Sequence, residues 1–160
     1  MTFNAAKFRL TGALTVMLLV LGANAIRVNA QAPAPRVAVP APPATVGDLG
    51  ALVEQARVRF VARDTAGVLA YVAENYRSAG VTKAGLRQQL LALYSLYDAV
   101  RARVQVDQVH LVDGDAWVYT TGEVDGRLPL VGWVTVLSWE REPEVARRQG
   151  AVWRLVGFQD

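Results

Sequence analysis

Residues 82–111 read TKAGLRQQLLALYSLYDAVRARVQVDQVHL, and the apolar repeat changes period within them. Leu86, Leu90, Leu93 and Tyr97 stand at i, i+4, i+7 and i+11, the spacing of one helix face, with Leu91, Tyr94 and Asp98 in an adjacent row. Thr82 precedes them where an N-cap would satisfy the first free amides. After Val100 the spacing falls to two, the period of a strand whose side chains alternate between faces. A helix that hands over to strands in this way predicts an α+β domain with its helices first and its sheet last.

Upstream, Leu49, Leu52, Val53, Ala56 and Phe60 recur at helical spacing from about Val46, with Glu54, Arg57 and Arg63 largely off that stripe. Asp64 is placed to cap a second helix of two or three turns through Val68, Leu69 and Val72 toward Tyr76. Downstream, residues 103–111, 116–124, 128–140 and 152–158 are rich in valine, tryptophan and tyrosine and read as four strands. Asp113-Gly114 and Asp125-Gly126 are hairpin signals between the first three, and the polar residues 141–150 read as a longer connection before the fourth. The expected sheet is an antiparallel meander. Its third strand is apolar on two faces, Leu128, Leu130, Val134 and Val136 on one and Val131, Trp133, Leu137 and Trp139 on the other. Such a strand is expected to be covered on both sides, by the helices and by a second copy of the chain.

Residues 1–30 have the three parts of a secretory signal peptide: a basic start with Lys7 and Arg9, an apolar run from Ala13 to Ala23, and small-residue exit sites after Ala25, Ala30 or Ala32, of which the last two lead directly into a proline-rich stretch. The alternative is an uncleaved membrane anchor. The expected location is therefore periplasmic or secreted, with membrane contact only if the segment is retained. Residues 31–45, QAPAPRVAVPAPPAT, favour an extended polyproline conformation and read as a linker, leaving residues 46–160 as the domain. The formal charge of +3 belongs to the leader. Lys7, Arg9 and Arg27 precede residue 31, and the rest balances 14 basic against 14 acidic side chains, which removes the basis for nucleic-acid binding. The chain has no cysteine, so neither a disulfide nor a lipidated cysteine is available.

Three stretches carry a family resemblance: Phe60 to Asp64 (FVARD), Glu74 to Arg77 (ENYR) and Val152 to Val156 (VWRLV). In that order and spacing, three helices followed by an antiparallel meander resemble the NTF2-like superfamily, of the SnoaL-like or nuclear transport factor 2 type, over residues 46–158. The resemblance implies a cone in which three N-terminal helices close a curved antiparallel sheet around a cavity for a small apolar molecule, with homodimers through the outer sheet face. Members of the ketosteroid isomerase type resemble one another in a first-helix tyrosine and a carboxylate base after the second helix. This chain has Ala56 and Gly80 near those positions, so that mechanism lacks two of its parts.

His110 is the only histidine, and with Asp98 it forms the candidate catalytic pair of a lyase or isomerase of the SnoaL or scytalone dehydratase type. Tyr76, Tyr94, Tyr97 and Trp117 are the candidate lining of the ligand pocket, their polar tips suited to an otherwise apolar cavity. Asp113 and Asp115 flank a glycine without the glutamate that completes a calcium loop, and one histidine with no cysteine falls short of a zinc site, so neither a metal nor a cofactor is expected. The favoured reading is an exported domain that binds a small apolar ligand or a protein partner without catalysis. The alternatives are the lyase or isomerase and a structural interaction module.

Overall fold

Pro43 opens the first helix, α1 (Pro43–Val61), at the position where the missing N–H of proline costs no helical hydrogen bond. A computed structural model describes residues 37–158, and the expected leader, residues 1–30, lies outside them. Regular structure reaches into the expected linker, residues 31–45. Val39–Pro40 form a short strand, β1, paired with Leu111 and His110, and the last residues of the expected linker belong to α1. Proline is tolerated in β1 because that strand lies at the sheet edge. The stripe read from the sequence is the buried face of α1: Leu49, Leu52, Val53, Ala56 and Phe60.

Asp64 caps α2 (Thr65–Leu69), its carboxylate accepting from the Gly67 amide at 2.8 Å. This helix is five residues long, shorter than expected. The chain leaves it to run along the edge of the sheet, where Leu155 N–H donates to the Tyr71 carbonyl and Ala73 N–H to the Leu155 carbonyl, both at 2.9 Å. Edge pairing satisfies the backbone groups that further helical turns would have used. A small hairpin of β2 (Arg77–Ser78) and β3 (Val81–Thr82) follows, turning at Ala79 and Gly80 with φ of 47° and 80°. Thr82 then caps α3 (Lys83–Leu96), which buries Leu86, Leu90, Leu93 and Tyr94.

The main sheet has the order β1-β4-β5-β6-β7, with β4 (Ala99–Val112), β5 (Asp115–Leu128), β6 (Gly132–Gln149) and β7 (Val152–Leu155) antiparallel throughout. Asp113-Gly114 is the expected turn, with φ of 52° and 86°. Asp125-Gly126 is not a turn. Asp125 pairs across to Arg101 and Thr135 inside the sheet, Gly126 lies beneath the Tyr97 ring, and the chain reverses instead at residues 129–131. Residues 141–149 are likewise strand and not connection. Their polarity belongs to an exposed side, while Glu144, Val145 and Ala146 are buried.

Register shifts in β4–β5 and β5–β6 curve the sheet and re-sort the third strand. Val134 and Leu137 stand opposite Gly126 and Val124, and Trp139 opposite Gly122, so all three share the concave face beneath the helices. Leu130 and Val131 are turn residues, 108% and 69% exposed, and belong to neither strand face. Among the described residues, no helix is long and apolar enough to cross a membrane.

Candidate functional site

The concave face is packed by aromatic rings laid against glycine. Gly126 leaves room for the Tyr97 ring, and Gly122 for the Trp139 indole, whose N–H donates to Thr120 Oγ1 at 3.0 Å. Tyr94 Oη donates to the Phe60 carbonyl at 3.0 Å, and burial pushes its hydroxyl well above the usual phenol range. Tyr76 is 2% exposed within the same core. Of the four aromatic candidates, Tyr76, Tyr94 and Tyr97 therefore come together on the concave side as tightly packed core.

Trp117 lies on the other face. It stands opposite His110 and Val145, and its ring meets Phe158 edge-on at 5.2 Å. His110 shares that convex face, half-buried, with Nε2 2.7 Å from the Gln108 amide nitrogen and its ring edge-on to Tyr119 at 5.8 Å. Asp98 is exposed at the opposite end of β4, its backbone N–H donating to the Arg127 carbonyl and its carbonyl accepting from Arg63, both at 2.9 Å. The run of β4 from Ala99 to His110 corresponds to about 36 Å of strand, so the fold does not bring the two together.

The sheet buries two carboxylates that composition could not single out. Asp125 accepts from Arg101 Nε at 2.8 Å and Thr135 Oγ1 at 2.9 Å, and the Arg101 hydrogen bond holds its carboxyl below the usual range against the opposing effect of burial. Arg101 also lies over the Trp133 ring at 4.4 Å. Glu144, 1% exposed, stands opposite Val118 on the concave face. It falls in the segment read as a polar connection; only the strand register reveals that it points inward.

An open groove of about 330 Å³ runs between α1 and β7. Ala51 and Leu52 on the helix and Val152 and Trp153 on the strand make its apolar walls. Within the lining Tyr71 Oη donates to Gln55 Oε1 at 3.0 Å, and the Arg154 guanidinium donates to the Ala70 carbonyl. The Trp153 indole N–H is shielded from solvent and has no acceptor among the described residues. Groove residues were legible as aromatic or as helix surface, but not as neighbours, because α1 and β7 are about a hundred residues apart. Among the described residues no group of three His, Asp or Glu side chains could hold a metal ion.

Helices seated on the concave face of a bulged antiparallel meander define an α+β cone-type domain. No family model and no curated protein matches the sequence. Solved structures do. A proposed dehydratase of the NTF2-like family from Streptomyces avermitilis superposes with a TM-score of 0.58 at 11% identity, over 72% of this chain and 94% of that one. A proposed scytalone dehydratase from Novosphingobium aromaticivorans gives 0.57 at 9% identity, over 71% and 80%. Bd1075 from Bdellovibrio bacteriovorus gives 0.56 at 14% identity over 69% of this chain, which spans only 39% of that longer protein. The chain has the NTF2-like fold.

Proposed function

We propose that this chain is an exported NTF2-like domain that holds a small, largely apolar molecule in the groove between α1 and β7 and does not transform it. The observation that carries this reading is the groove itself, whose volume of about 330 Å³ falls within the range of small-molecule sites and whose lining sets Ala51, Leu52, Val152 and Trp153 beside the polar Asp48, Gln55, Tyr71 and Arg154. The catalytic alternative loses support because His110 and Asp98, its proposed acid–base pair, lie at opposite ends of β4. Export rests on the leader pattern of residues 1–30.

A thermal-shift screen of the purified full chain against medium-chain alcohols and small aromatics tests binding. A rise in melting temperature that Trp153→Ala abolishes is expected. A flat response across the panel sinks the proposal in favour of a structural interaction module. Homodimerisation is part of the same proposal, now through the convex face of β6, where Trp133 is exposed. Sedimentation equilibrium should give twice the chain mass, and a monomer at high concentration would refute it.

A further inference from the structure

The hairpin between β5 and β6 turns on apolar side chains. Pro129, Leu130 and Val131 are exposed, Leu130 at 108% and Val131 at 69%. Leu130 also holds φ of 65°, a left-handed conformation that glycine takes freely and a leucine side chain opposes; Gly132, two residues on, has 89°. Neither burial nor backbone preference calls for leucine at this apex. The rest of this end of the molecule continues the pattern. Ala99 pairs with Arg127 and Leu128 with Gly132, and Asp98 N–H, donating to the Arg127 carbonyl, ties the end of α3 to the same place. Leu96, the last residue of α3, is 51% exposed. The ion pairs Arg59–Asp64, Arg101–Asp125 and Arg103–Glu123 balance one another, which leaves Arg63 and Arg127, both exposed, beside the exposed Asp98. Arg63 is held there by donating to the Asp98 carbonyl at 2.9 Å.

From this placement we infer that the β5–β6 apex docks the domain on a bilayer bearing anionic phospholipids, with Leu130 and Val131 entering the interfacial layer and Arg127 meeting the headgroup phosphates. A lipid surface fits this apex better than a protein partner does. A stable protein interface takes about 800 Å² from each side, far more than two side chains at the tip of a hairpin offer. A fluid lipid layer closes around a projecting leucine without a preformed pocket, and the basic balance around the apex matches anionic headgroups. The strained leucine is then explained by what it touches outside the chain. Docking of this kind is independent of the groove between α1 and β7, and it leaves the convex face of the sheet free.

The chain has no cysteine, so Val131→Cys gives the full chain a single site for an environment-sensitive dye. Asp113→Cys gives a second, at the exposed turn that closes the opposite end of the sheet. On vesicles of equal parts phosphatidylcholine and phosphatidylglycerol, the dye at 131 should shift to the blue and be quenched by a lipid-borne nitroxide, while the dye at 113 stays in water. Leu130→Ser should lower the ratio of inserted to free dye at 131 about tenfold. Arg127→Gln, or vesicles of phosphatidylcholine alone, should lower it about fivefold. No shift at 131 overturns the docking, and so does an equal shift at 113, which would mean that the apolar run of residues 13–23 carries the chain to lipid. A response that Leu130→Ser leaves intact, or that is as strong on phosphatidylcholine alone, also overturns it. A shift that grows with protein concentration in the absence of vesicles would instead give the apex to a second copy of the chain.

Discussion

Gly122→Ala isolates the contact on which the concave face depends. A Cβ at this position would overlap the Trp139 ring from the facing strand and press on the Arg103 carbonyl from the other side. Trp139 is 7% exposed and cannot swing into solvent without vacating the core, and its displacement would separate its N–H from Thr120 Oγ1. Overpacking of this kind costs about 1–3 kcal/mol, and a buried N–H left without its acceptor about 1–3 kcal/mol more. The expected loss is therefore about 2–6 kcal/mol, a large share of the roughly 5–15 kcal/mol that holds a domain folded. Urea unfolding followed by tryptophan fluorescence and circular dichroism should show the midpoint falling by about 1–2 M. The double-mutant cycle is decisive. In a Trp139→Ala background the same substitution should cost less, because only the backbone clash at Arg103 remains. A coupling below about 0.5 kcal/mol, or an unchanged midpoint, would refute the pairing of Gly122 with Trp139.

Two further outcomes follow from the same sheet. Asp125 has its carboxyl held below the ordinary range by the Arg101 hydrogen bond. Its contribution is thus present above the unfolded value of about 3.9 and lost as pH falls through the lower folded value. Urea midpoints should fall more steeply with acid in the native chain than in Asp125→Asn, and equal slopes would refute the coupling. Leu130 sits at the hairpin apex with φ of 65°, a conformation that costs a branched side chain about 1–2 kcal/mol, and it is fully exposed. Leu130→Gly relieves that strain against a smaller entropic cost, so thermal melts should show unchanged or slightly raised stability. A clear loss would mean that Leu130 packs against another molecule.

How much was legible depended on whether the signal was local. The helical stripes of α1 and α3, the caps at Asp64 and Thr82 and the Asp113-Gly114 turn all come from interactions within a few residues, and each stands where the pattern placed it. The misplaced features are those that a distant segment decides. Asp125-Gly126 carries a turn signal, yet Arg101, Thr135 and the Tyr97 ring hold it straight within β5. The second helix stops after Leu69 because β7, more than eighty residues later, offers its edge to Tyr71 and Ala73. For the candidate site the same limit applies more severely. Tyr76, Tyr94 and Tyr97 could be recognised as aromatic and inward-facing, but only packing distinguishes a filled core from a cavity.

The sequence alone determined the class of the domain, because the change from a 3.6-residue to a two-residue apolar period at Val100 is written in consecutive side chains. It also determined the neutrality of residues 31–160, which charge counting reads directly. The tertiary structure decided which polar groups share a space. Bulges in β5–β6 turn Glu144 and Trp139 inward, the length of β4 separates His110 from Asp98, and the docking of α1 against β7 brings residues of both into the lining of one groove. The physical reason is that backbone preference acts over a few residues, whereas a site is made of side chains whose proximity depends on register and packing across the whole sheet.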